Sequence, residues 1–327
     1  MENERKNLSL HDGSVGVGGI YNEVKINDRS TLNGDIDCII LNCSDRSEIE
    51  GNVLSSKTHL CDGSKINGDV KSELVHINDG SNLYGNVEAK EFIINDGSHV
   101  HGNISSSTIR INDGSSIIGN LKVEDLILKD GSSVNGNVKT VIAKISDGSK
   151  IKGDLNAEDS MVKDGATIAG NIFSTKIHLY DGCKITESIK GEEIKINDSV
   201  KVGKDCECEK FTGSDCFHIA GLLNAEEINI TLDNNCSVKE IGGNNISVRV
   251  PKNSISILGI IKINANMVYL TADTIEGDTI CLENTKAKIV RGNKITIGDG
   301  CKIDKIEYKE TLDISEKAVV NEKIKIN

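Results

Sequence analysis

Several groups of side chains in this sequence are of types that could do chemistry. Cys206, Cys208 and Cys216, with Cys236 and His218 close by in sequence, are soft ligands of the kind zinc selects. Their spacing, C-x-C-x7-C, is not a zinc-finger pattern, and Cys206 stands where neighbouring repeats carry Ile or Val. A buried thiol acting as a small hydrophobe is the preferred reading, with a metal cluster as the weaker one. His99 and His101 are a pair that an acyltransferase of the left-handed β-helix type could use, but no phosphate loop accompanies them. Gly16-Val17-Gly18-Gly19 is too degenerate for a dinucleotide fingerprint and no helix follows it. A row of aspartates invites comparison with calcium-binding β-rolls. One such carboxylate per repeat supplies too few oxygens in one place. No catalytic, cofactor-binding or metal residue is assigned, no cofactor is expected, and the chain is read as not an enzyme.

The aspartates are more informative as a ruler. Asp62, Asp79, Asp96, Asp113, Asp130, Asp147, Asp164 and Asp181 recur at one constant interval, and the series extends from Asp28 to Asp215. Most precede Gly-Ser. Six positions after the aspartate stands a second glycine, as at Gly68, Gly85, Gly102, Gly119, Gly136, Gly153 and Gly170. A strict period of this size marks a stacked repeat. Four positions after the aspartate the chain is always aliphatic: Ile66, Leu83, Val100, Ile117, Val134, Ile151 and Ile168. Further apolar sites fall at +8, −2 and, less regularly, −4. Glycine interrupts every unit and β-branched residues dominate, so each unit reads as short strands joined by tight turns. Asp-Gly is expected at one corner, with the carboxylate bonding its own turn amides. Gly-Asn supplies a second corner by tolerating positive φ, and a third bend falls near Ser105–Ser107. The Asn and Asp side chains at +7 are expected to hydrogen-bond along the stack.

The expected fold is all-β: a single-stranded, right-handed parallel β-helix, a solenoid with coils of about 17 residues. Composition agrees, with 32 glycines, one proline, no tryptophan and 3% aromatics. A net charge of −12 without a basic stripe excludes backbone binding of nucleic acid and disfavours an anionic membrane surface. Met1 to Leu10 shows no export signal, and the ten irregularly placed cysteines read as reduced thiols, so a cytoplasmic location is expected. The chain divides into a polar head and irregular first coil or cap (1–19), a regular β-helix (20–232), an irregular continuation (233–308) and a charged tail or cap (309–327).

The unit Ile-Asn-Asp-Gly-Ser-x-Ile-x-Gly-Asn-Leu, as at Ile111–Leu121, resembles the bactofilins, polymer-forming cytoskeletal proteins of bacteria. The resemblance covers Ile20 to Ile196. The stretch from Glu276 to Tyr308 looks like a longer subgroup of spore-forming low-GC bacteria. The resemblance implies a β-helix that assembles end to end without nucleotide and acts as a scaffold. Implied partners are the chain itself, and other bactofilin-like or membrane-associated proteins that would hold it at a membrane periphery. The alternative is a β-helical binding module or carbohydrate-active enzyme, with its site in the irregular stretch Lys204 to Ala265.

Overall fold

The computed structural model describes residues 5–251 and 268–326. The chain separates into two units, Met1–Gly170 and Asn171–Asn327. Each is a β-solenoid whose strands pair in parallel, as expected from the period.

In the first unit the register is the sequence period. Val70 pairs with Val87 and Val87 with Ile104, one repeat apart each time. The inward columns are closed to solvent: Ile66, Leu83, Val100, Ile117, Val134, Ile151 and Ile168 are all buried. Each such side chain removed from water contributes on the order of 1.5–3 kcal/mol. The aliphatic core is narrow, which accounts for the scarcity of aromatic residues.

The Asp-Gly corner is a turn of the mirror-image type, with both central residues at positive φ. Asp62 through Asp181 lie between 50° and 57°, and the glycines after them between 66° and 72°. The Ser64 amide closes the turn on the Cys61 carbonyl at 3.2 Å, and the Gly63 amide reaches the Asp79 carbonyl of the next coil at 2.9 Å. Aspartate is suited here because it tolerates the left-handed region. The described carboxylate contacts run to neighbouring side chains, as from Asn78 to Asp79 and Lys129 to Asp130, and not to the turn amides that an Asx-turn would use.

The second glycine has a different cause from the one expected. Gly34 has a φ of 103° and Gly85 one of 159°, near extended, but Gly68, Gly102, Gly119, Gly136, Gly153 and Gly170 are not at positive φ. A Cβ at each of these six would instead fall far inside contact distance of the carbonyl of the glycine one coil earlier. Close axial approach, not turn conformation, excludes a side chain. The third bend varies from coil to coil. Ile104–Ile111 is a continuous strand that leaves Ser107 unpaired against Lys90, whereas the strand breaks there, as expected, between Val138–Lys139 and Ile142–Ile145.

The second unit keeps the same register through Ile189, Cys206 and Leu223. His218 then pairs with Ser237 and Leu222 with Glu240, so this coil is longer than the period. Strand Cys236–Arg249 pairs directly with Leu270–Leu282, and the offset from Cys236 to Leu270 is double the period. Residues 252–267 of the irregular continuation lie outside the described residues. The next coil is shorter than the period, with Leu270 against Thr285. Lys286 then pairs with Lys302, still short, and Lys302 with Val319, where the period returns. The coils therefore run past the expected end near Tyr308, because Val319–Lys325 forms one more strand on Lys302–Ile314. The Asp-Gly pair recurs at Asp299-Gly300, where Gly300 has a φ of 74° but Asp299 is not at positive φ; the Asp299 carboxylate takes the Ser315 hydroxyl and the Lys317 ammonium.

The two glycine classes respond differently to a methyl group. Gly102→Ala drives it into the Gly85 carbonyl and is expected to cost about 3 kcal/mol or more. Gly114→Ala meets open space and only a strained φ of 69°, and is expected to cost about 1 kcal/mol. Denaturant midpoints read together with amide exchange across the affected coils measure both; equal losses would refute the distinction.

Candidate functional site

The chemistry of this protein is concentrated in the bonds between coils. At position +7 the side-chain oxygen of one coil accepts the backbone N–H of the same position one coil later. Asn52 accepts from Asp69 at 2.9 Å, Asp69 from Asn86 at 2.7 Å, Asn86 from Asn103 at 3.0 Å, and Asn103 from Asn120 at 2.8 Å. Asn120 and Asn137 continue the row at 2.8 and 2.9 Å. The ladder is thus mainly side chain to backbone, where the amide stack expected from sequence would be side chain to side chain. An oxygen at this position is what counts, which is why Asp and Asn alternate freely.

A second ladder was not foreseen. The serine two positions after the corner aspartate points inward and is buried. The Ser47 amide donates to the Ser64 hydroxyl oxygen, and Ser81 and Ser98 donate likewise to Ser98 and Ser115, each at 3.2 Å. Cys183, Ala166 and Cys301 take this slot in other coils and are buried there too. The signal was present in the sequence: Ser, Ala or Cys fills the position from Ser30 to Cys183, before Val200 and Phe217 take it. Cys183 and Cys301 are thus inward-facing members of this column.

The candidate cysteines divide. Cys206 is buried beside Ile189 and Leu223 in the strand ladder, and its nearest thiol neighbour is Cys208. Cys236 sits at another corner, near Cys216, and its thiol donates to the Asp215 carbonyl. Among the described residues no group of three or more His, Cys, Asp or Glu side chains could hold a metal ion. All ten cysteines are free thiols. Burial pushes the Cys43 and Cys183 thiols up to about 12, and Cys206 well above the ordinary thiol value, so at neutral pH they stay protonated.

His99 and His101 belong to the stack. The His101 ring lies on Tyr84 with centroids 4.7 Å apart, and His99 Nδ1 shares a hydrogen bond with the Ser116 hydroxyl at 2.7 Å. A shallow groove of about 960 Å³ follows the +7 ladder of the first unit, from Gly19 to Lys122. It lies on the regular coils and not in the stretch Lys204 to Ala265 that the alternative reading would use, of which residues 252–265 lie outside the described ones.

The first and last coils differ from the rest. Strand Val15–Ile20 exposes three aliphatic side chains, Val15 at 69%, Val17 at 73% and Ile20 at 64%. Its inward residue is Gly16, and the side chain of Leu10 occupies the space that a larger residue would fill. In the last coil Lys323 registers with Ile306.

Residues 42–139, within the first unit and its unbroken ladders, match the family described as Bactofilin, polymer-forming cytoskeletal. This chain is bactofilin-like. Two proteins of Bacillus subtilis (strain 168) are similar to it, both named as uncharacterized. YhbE is 44% identical over 91 residues, which cover 28% of this chain and 37% of YhbE. YhbF is 39% identical over 107 residues, 32% of this chain and 42% of YhbF. The chain therefore spans less than half the length of either relative. No solved structure matches. No helix among the described residues of the bactofilin-like chain is long and apolar enough to cross a membrane.

The ladder oxygen can be tested directly. Asn103→Ala strands the Asn120 amide and is expected to cost about 1–2 kcal/mol, whereas Asn103→Asp keeps the acceptor and is expected to be nearly neutral. Thermal melts of both variants measure the difference. For the thiols, a chromogenic thiol reagent at pH near 8 is expected to leave Cys43, Cys183 and Cys206 unmodified in the folded protein. Mass spectrometry of the labelled peptides checks this; rapid native labelling of these three would contradict the burial.

Proposed function

We propose that this chain is a non-enzymatic structural scaffold that associates with copies of itself through its terminal coils, in the cytoplasm. The observation that carries this reading is the match of residues 42–139 to a polymer-forming cytoskeletal family, over coils with continuous glycine, asparagine and serine columns. The physics supports it. A terminal coil has backbone donors and acceptors along one edge, and such an edge is a template for another β-edge. Much of the polar chemistry on the coils is spent on holding them together: the +7 oxygens and the Ser64, Ser98 and Ser115 hydroxyls accept amides of neighbouring coils, and the His101 ring lies on Tyr84. Any attachment to a membrane would come through a partner.

Negative-stain microscopy and sedimentation of the purified full chain test the reading. Oligomers or filaments that dissociate on dilution are expected. A strictly monomeric particle at the highest attainable concentration would sink it.

A further inference from the structure

We propose that His59 and His76 together bind one divalent ion of the late first-row transition metals, with water completing its coordination. Of the seven histidines, these two alone are register partners in adjacent coils. Both lie on the outer face of the coil: buried Thr58 and Leu60 flank one, buried Val75 and Ile77 the other. Parallel stacking therefore sets one imidazole directly over the next. The ring centroids are 5.8 Å apart and the planes 63° apart. Two imidazoles that share an ion about 2.1 Å from each nitrogen have centroids about 5–6 Å apart. The backbone already holds the rings at the separation that a shared ion requires.

The rings are also in a state to coordinate. Burial first, then His76 and Lys57, hold the His59 imidazole below its ordinary value, so at neutral pH its lone pair is available. Among the described residues no hydrogen bond engages that ring. His76 is held from one side only. The Asn95 amide stands 3.2 Å from its Nε2, and the Asn112 amide donates to Asn95 Oδ1 at 2.8 Å. A ligating histidine is typically oriented through its other nitrogen in this way. With the metal on Nδ1, Nε2 carries the proton, and the two amides turn together to present their oxygens along the same row. The remaining histidines are engaged otherwise: His99 and His218 bond serine hydroxyls, His101 stacks on Tyr84, His178 stands against Tyr180, and His11 meets Asp12.

The surroundings favour a cation and limit the donors to nitrogen. Cys61 lies two positions from His59, toward the corner. Burial and the carboxylates of Asp62, Asp79 and Asp45 push its thiol up to about 12, so the acidic corner reaches this face while the thiol stays protonated. Lys57 opposes a cation, but it is exposed and solvent screens it. Two neutral nitrogens with open positions for water suit Ni2+, Cu2+ or Zn2+, and not Ca2+ or Mg2+, which take oxygen. An ion held there ties one coil to the next through side chains.

The test is titration of the full, reduced chain with Ni2+ alone, read by calorimetry and by paramagnetic broadening of the histidine ring signals in NMR. One ion per chain is expected, broadening His59 and His76 before the other histidines. His59→Asn and His76→Asn are each expected to weaken binding about tenfold or more, and Asn95→Ala, which keeps both ligands, about tenfold. Ni2+ is expected to raise the melting temperature of the wild type and to leave that of the His59→Asn chain unchanged. His99→Asn and Cys61→Ser are expected to bind as the wild type does, with circular dichroism confirming that every variant is folded. No uptake, or uptake indifferent to His59 and His76, which is an adventitious ion only, would overturn the site. Loss of binding in Cys61→Ser would overturn the two-nitrogen donor set, and an Asn95→Ala chain with wild-type affinity would overturn the orienting row. None of these readouts depends on oligomeric state, so the scaffold reading stands or falls separately.

Discussion

The spacing between coils, about 4.8 Å in a parallel β-stack, is the constraint on which the rest of the structure depends. Every coil must bring its backbone within hydrogen-bonding reach of the one before it along nearly its whole length. At +6, from Gly51 to Gly170, this approach is so close that a carbonyl occupies the place of a Cβ and only glycine fits. At +7 it brings a backbone N–H onto an Asn or Asp oxygen. At the corner it requires two consecutive residues at positive φ. Strict repetition in the sequence is the outcome of satisfying the same set of distances again and again.

The second unit shows how much of that constraint can be relaxed. The offset between paired residues is longer than the period at His218 and Ser237, double it at Cys236 and Leu270, and shorter at Leu270 and Thr285. The inward columns persist nonetheless, with Ile241, Ile275 and Val290 buried one above another. Where the register shifts among the described residues, as between Ile219 and Leu222 or Gly292 and Lys294, the pairing resumes on the far side. The stack therefore tolerates coils of unequal length as long as its inward columns stay aligned.

How much of this could be read from the residues depended on whether a position is explained within its own coil. The aliphatic columns, the corner aspartates and the parallel stack were legible because their period and residue types carry the reason. The glycine at +6 was assigned the wrong cause, since its clash is with an atom of the preceding coil, a whole repeat away, that local turn logic does not see. The serine column was overlooked because a small polar residue beside Asp-Gly looks like turn chemistry, whereas Ser64, Ser81 and Ser98 point into the core. The cysteines at 206, 208 and 216 looked like one cluster in sequence, but a coil separates its corners in space. Lys323 was hidden in a lysine-rich stretch, and only strand register reveals which of those lysines falls on an apolar column.

The asparagine ladder has a direction. In each bond the accepting side chain belongs to the earlier coil and the donating amide to the later one, as from Asn120 to Asn103 and from Asn137 to Asn120. A chain leaving the ribosome N-terminus first thus has each acceptor ready before its donor is made. Every finished coil is a mould for the next, so folding can keep pace with synthesis, without waiting for a distant segment to arrive.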